Sequence, residues 1–139
     1  MNINIGRVLL GGLVTGIILN AGEVVLHDVL LGAQTKAFFA EHNFREPGPS
    51  FLIAAVGGTL ALGIVIVFGY AAIRPRFGPG PKTAIIAALF AWFGIYLYTG
   101  ILHGLMFGMS ANSILITIGW GLVVYILATL AGAALYKES

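Results

Sequence analysis

The sequence contains no cysteine and very little charge: seven Lys or Arg and five Asp or Glu in 139 residues, 9% of the chain. Without cysteine there is no disulfide framework, no thiolate metal site and no Cys nucleophile. Soluble domains carry about 25% charged residues, so this composition cannot cover a water-facing surface. That excludes an ordinary soluble enzyme and a disordered chain. A formal surplus of two positive charges falls far short of the basic face that nucleic acid requires, so no nucleic-acid partner is expected. Proline is scarce too, five in all, and three of the five fall between Arg74 and Lys82.

What the chain has instead is apolar length. Hydrophobic residues make up 59% of it, and the mean hydropathy is +1.00. A helix needs roughly 20 mostly apolar residues at 1.5 Å each to cross the hydrocarbon layer. Four segments qualify, at about 5–31, 50–73, 83–106 and 112–136. The last two come from one stretch, Thr83 to Tyr136, with no Asp, Glu, Lys or Arg; its 54 residues are too long for one span. The Gly, Ser and Asn between Phe107 and Ser113 place the turn that divides it. The fold expected is therefore all-α: one integral membrane bundle of four transmembrane helices over residues 1–139. The segments are continuously apolar rather than alternating, which argues against a β-barrel. The first segment reads as a retained helix, because Glu23, His27 and Asp28 follow its apolar core directly and no Ala-x-Ala site closes it.

Orientation follows from the Lys and Arg in the short loops. Arg7, Arg74, Arg76, Lys82 and Lys137 fall on one side, Lys36 and Arg45 on the other. This predicts both termini in the cytoplasm and, for a bacterial protein, residence in the inner membrane. Ala33 to Phe44 can form a short interfacial helix, with Phe38, Phe39 and Phe44 in the headgroup layer and Lys36, Glu41 and Arg45 in water. Arg74 to Lys82, with three prolines and two glycines in nine residues, is expected to be a stiff non-helical connector. Its Arg74, Arg76 and Lys82 are expected to set topology and to meet anionic lipid headgroups, at about 1 kcal/mol each near the surface.

Glycine is abundant, 20 residues against a usual share of about 7%. Apolar side chains gain nothing by leaving acyl chains, so small residues hold membrane helices together by letting backbones approach. Gly12 and Gly16 form one such pair, Gly100, Gly104 and Gly108 a double repeat, and Gly132 pairs with Ala128. These glycines are expected at helix-packing surfaces, within the bundle or against other membrane subunits or a second copy.

Ionisable groups inside a span are costly and are candidates for function. At 100° per residue, Gly12, Gly16, Asn20, Glu23 and His27 share an arc of about 80°, with Asp28 about 80° beyond Asn20. On the third span Trp92, Tyr96, Thr99 and His103 share about 60°. His27 and His103 each lie 20 residues from a basic residue or its neighbour at the inner boundary, so both fall about 30 Å away, at the outer edge of the hydrocarbon. Asn20, Glu23, His27, Asp28, Thr99 and His103 thus form a candidate polar site near the outer face. Four readings stay open for it: a hydrogen-bonded cluster, proton transfer or ligand gating, a metal held by Glu23, His27 and His103, or a haem between the two histidines. Cofactors are not specified by the sequence. Ser110, Ser113 and His103 lack the surroundings of a nucleophile, and the Gly78 to Lys82 segment lacks Walker spacing. Trp92 and Trp120, in mid-span, read as packing residues.

Three strings, Tyr70-Ala-Ala-Ile-Arg-Pro-Arg-Phe-Gly-Pro-Gly-Pro-Lys-Thr-Ala84, Asn20-Ala-Gly-Glu23 and Ala131-Gly-Ala-Ala-Leu-Tyr-Lys137, together with the overall layout, resemble small four-helix integral membrane proteins of bacteria. The resemblance implies the fold and brings no activity or site residues. With no catalytic motif, minimal loops and many close-packing glycines, the leading expectation is a non-catalytic accessory or assembly subunit, or a homo-oligomer. A small transporter or membrane enzyme built on Glu23, His27 and His103 is the alternative.

Overall fold

The computed structural model describes residues 2–138, and its regular structure among them is entirely helical. Helix α1 runs Ile5–Val24 and continues as a π-helical turn, Val25–Leu30. A short helix α2, Gly32–Glu41, follows. Helix α3 spans Pro49–Phe77. The next span is α4, Pro81–Trp92, a π turn Phe93–Tyr98, and α5, Thr99–Met106. Helix α6, Ala111–Leu135, completes the chain. Four of these runs are long and apolar enough to cross a membrane: Ile5–Leu30, Pro49–Phe77, Pro81–Met106 and Ala111–Leu135. In lipid every backbone N–H and C=O must be satisfied internally, which is why continuous apolar sequence becomes helix here.

Local chemistry explains the ends. The Asn4 side chain accepts from the Arg7 N–H at 3.1 Å and starts α1. Ser110 does the same for α6 through the Ser113 N–H at 3.2 Å, as small polar N-caps do. Helix α5 stops at Gly108, whose φ of 65° suits glycine alone at low cost. Its closing bonds, Met109 N to Gly104 O at 2.8 Å and Gly108 N to Leu105 O at 3.2 Å, form the paired pattern of a Schellman C-cap. Gly108 therefore ends a helix rather than packing one, with nothing within 4 Å of a Cβ placed there.

The connector after α3 departs from the sequence expectation. Arg74 to Phe77 is helical with Pro75 inside the helix, and only residues 78–80 lie between α3 and α4. A proline this close to the C-terminal end removes a single N–H donor, while the Gly78 N–H still closes onto the Arg74 carbonyl at 2.8 Å. Pro81 then sits in the first turn of α4, where its missing N–H is no loss.

Packing is carried by small residues. Helix α1 lies chiefly against α3 and next against α6, while α4 lies against α6. A Cβ on Gly12 would meet the Ile64 backbone, one on Gly16 would come within 2.7 Å of the Leu60 Cα, and one on Gly63 would strike the Gly12 and Gly16 backbones. Gly11 and Gly132 make the equivalent approach between α1 and α6, beside a 3.1 Å bond from the Thr15 hydroxyl to the Ala128 carbonyl. Two buried clusters result. One gathers Val8, Val67, Tyr70, Ala84, Ala133 and Tyr136; the other gathers Leu19, Leu26, Tyr96, Tyr125 and Ala128. The Asn4 N–H reaches the Tyr136 hydroxyl at 3.4 Å, so the two ends of the chain meet at one end of the bundle, called here the terminal end.

At the opposite end none of α2 is buried. Phe38, Phe39, His42 and Phe44 gather there, with Phe38 and His42 ring centroids 4.3 Å apart. Phe38 also meets Phe107 at 6.5 Å, which ties α2 to the turn before α6.

Candidate functional site

Glu23 is the charged residue around which side chains from two spans assemble. It lies 18 residues past Ile5, about 27 Å along the helix at 1.5 Å per residue, and so toward the end opposite the termini. Its carboxylate accepts a hydrogen bond from the Tyr96 hydroxyl. The other oxygen, Oε2, stands 3.2 Å from His27 Nε2, the i, i+4 geometry that brings side chains together on one face. The Glu23 side chain is 36% exposed and that of His27 56%. The chain therefore runs from a buried phenol through a half-buried carboxylate to an imidazole that opens outward.

Tyr96 is held from three directions. It is 7% exposed and belongs to the π turn of the third span. Its ring meets Tyr125 edge to face at 5.2 Å and 75°, a favoured aromatic geometry. On α6 the facing residue is Gly121, where a Cβ would collide with the Tyr96 ring. Trp120 lies beside it and donates its indole N–H to the Gly22 carbonyl at 2.9 Å, one residue before Glu23. Trp92 donates likewise to the Ile118 carbonyl at 2.9 Å. Both tryptophans therefore pack and also pin neighbouring helices by a hydrogen bond.

The two π turns, Val25–Leu30 and Phe93–Tyr98, bracket this site. Such turns insert one residue into an α-helix and occur most often at functional positions. Here the consequence is geometric. The inserted residue advances everything after it by about 100°. The face carrying Trp92 and Tyr96 therefore continues through Gly100, 3.5 Å from Ile118 by its added Cβ, and Gly104, against Ile114. Thr99 and His103 rotate off it. Thr99 donates to the Ile95 carbonyl of its own helix. His103 is exposed, with its ring 6.4 Å from Phe107. His103 thus meets Phe107, while His27 pairs with Glu23. Among the described residues no three His, Asp or Glu come together as a group that could hold a metal ion.

The remaining expected members sit at the margin. Asn20 donates to the Gly16 carbonyl at 2.9 Å and to the Val56 carbonyl on α3 at 3.4 Å, bridging two helices one turn from Glu23. Asp28 is exposed. Ser113 and Thr117 serve α6 itself: Ser110 Oγ bonds Ser113 Oγ at 2.9 Å, and Thr117 bonds the Ser113 carbonyl at 2.9 Å.

The basic residues at the terminal end divide. Arg76 and Lys82 are exposed. Arg74 is not: its side chain is 15% exposed and its Nη1 lies 3.2 Å from Glu138 Oε1. The guanidinium carbon stands 5.8 Å from the Tyr70 ring centroid and 5.2 Å from that of Tyr136. Arg74 differs from Arg76 and Lys82 in that it turns toward the protein, because two aromatic faces and a carboxylate receive the cation there.

Compared with known proteins, the chain matches no family model, no curated protein and no solved structure; what it is built for must be read from its own residues.

Proposed function

We propose that this integral membrane protein handles protons, as a small transporter or relay in which the Glu23 carboxylate takes up and releases a proton through His27. The observation that supports it most is the chain Tyr96–Glu23–His27 inside the membrane spans, at the level where both helices leave α geometry. A carboxylate in a span costs about 2.5–3.5 kcal/mol on insertion scales, and such groups mark proton and ion pathways. An imidazole is the side chain suited to passing a proton between water and a second acceptor. The exposed His27 ring would take the proton from solvent at Nε2 and pass it to Glu23 Oε2, while the Tyr96 hydroxyl keeps the carboxylate oriented. In vesicles with a trapped pH dye and an imposed potassium diffusion potential, the reconstituted protein should move protons. Glu23→Gln should reduce that flux to the level of empty vesicles, and Asp28→Asn should leave it. Wild-type flux no greater than that of empty vesicles, or full flux in Glu23→Gln, would defeat the reading.

A second reading, an accessory subunit or homo-oligomer, is favoured by a different observation. A Cβ on Gly57, Gly58, Gly94 or Gly119 would meet nothing within 4 Å, and all four positions are exposed. Glycine inside a helix costs about 1 kcal/mol relative to alanine, so glycines that nothing in the chain requires fit a helix from outside it. Native mass spectrometry after gentle extraction should then show a second copy or a foreign subunit that Gly58→Leu loses. On either reading, the distribution of Lys and Arg supports a topology with both termini in the cytoplasm, and the resemblance to small bacterial membrane proteins supports residence in an inner membrane.

A further inference from the structure

We propose that Arg74, Tyr70 and Tyr136 form a binding site for the phosphate of an anionic phospholipid, and that Glu138 occupies this site from within the chain until a lipid displaces it. The unusual feature is the state of the guanidinium. Its Nε and Nη1 are buried yet have no hydrogen-bond partner among the described residues. Nη1 is close enough to Glu138 for an ion pair at 3.2 Å but not aligned for a hydrogen bond. Buried polar groups are almost always paired and an exception needs an explanation; an acceptor from outside the chain supplies one here. A guanidinium presents its donors as a planar fork that suits two oxygens of one phosphate, whereas the Glu138 contact uses only one carboxylate oxygen.

The walls of the site are fixed in advance. The Tyr70 hydroxyl accepts from the Gly80 N–H at 3.2 Å, and the Tyr136 hydroxyl accepts from the Asn4 N–H at 3.4 Å. The connector and the start of α1 therefore hold both rings, which meet edge to face at 6.0 Å and 90°. Adjoining Tyr70 is an apolar crevice of about 140 Å³ between the connector and α6, lined by Gly80, Pro81, Ala84, Leu130 and Ala133. A donor fork for phosphate beside a crevice for hydrocarbon is the pairing a glycerophospholipid requires.

Charge selects which lipid. Arg7, Arg76, Lys82 and Lys137 belong to the same end in the sequence, and all four are exposed. Glu138 is the one acid in the chain beyond Glu46. A net anionic headgroup is favoured there, and a choline headgroup, with its own cation, is not.

Native mass spectrometry of the purified full chain, titrated with phosphatidylglycerol, phosphatidylcholine or sodium phosphate, tests the assignment. Phosphatidylglycerol should be retained in preference to phosphatidylcholine. Arg74→Gln should weaken its retention by about tenfold or more, the loss of a charge-assisted pair of bonds. Glu138→Gln should strengthen it, by up to about fivefold, because the internal competitor is gone. That second variant separates the site from a merely structural ion pair and remains informative if Arg74→Gln fails to fold. Equal retention in Arg74→Gln, unchanged or weaker retention in Glu138→Gln, or no preference over phosphatidylcholine overturns the proposal. Competition by sodium phosphate at the concentrations where lipid binds would overturn the lipid and leave a free-anion site.

Discussion

The Tyr96 hydroxyl, on a π turn of the third span, donates to the Glu23 carboxylate on the first. These residues are 73 positions apart, and their contact joins the first and third spans at the level where α1 gives way to its own π turn. A buried donor directed at a carboxylate within the membrane has a measurable consequence.

Removing it with Tyr96→Phe keeps the ring against Tyr125 and Gly121 but leaves Glu23 with His27 as its one side-chain partner. The expected loss is about 1–3 kcal/mol of stability, read as a lower midpoint of thermal unfolding in detergent. In Tyr96→Phe combined with Glu23→Leu the losses should fall short of their sum, since both substitutions remove the same bond. Fully additive losses would show that the two side chains do not act together.

Glycines that look alike in the sequence should respond oppositely. Gly63→Ala drives a Cβ into the Gly12 and Gly16 backbones and should cost about 1–3 kcal/mol, as overpacking does. Gly57→Ala meets open space and should stabilise α3 by up to about 1 kcal/mol through helix propensity. Unfolding midpoints of the two variants, compared in one detergent, decide this; a loss at Gly57 matching that at Gly63 would mean that another helix covers it.

The π turn in the third span can be deleted outright. Removing Gly94, where a Cβ would contact nothing, takes out one residue where one is inserted, so α periodicity should return with the helix beyond it in its present register. His103 would stay exposed and Gly104 against Ile114. In a chain without cysteine, a single His103→Cys label should react readily with a water-soluble maleimide in both the parent and the deletion variant. Much slower reaction in the deletion variant would show that the turn does not absorb one extra residue.

Orientation is open to the same single-cysteine approach. With both termini in the cytoplasm, an impermeant maleimide applied to intact cells should label Glu46→Cys and leave Pro79→Cys unlabelled until the membrane is opened. The reverse pattern would invert the proposed topology.

Much of the architecture was legible from the sequence. Four uncharged runs of sufficient length must become helices, because lipid offers backbone groups no other partner, and the observed spans begin and end within a few residues of those expected. The i, i+4 pairing of Glu23 with His27 was legible as well, since it depends only on helical spacing. The tertiary structure decided the rest. Constant 100° stepping put His103 on the face of Tyr96, but the π turn breaks that stepping, and a one-residue insertion into the hydrogen-bond ladder leaves no mark in composition. Tyr96 could be placed on a stripe with Trp92, yet which acid it would meet depended on how closely α6 approaches, and Gly121 permits that approach. Arg74 looked like its exposed neighbours Arg76 and Lys82. Only the convergence of Tyr70, Tyr136 and Glu138 from α3 and the end of the chain turned it inward, because a charge takes its place from the groups that surround it in space.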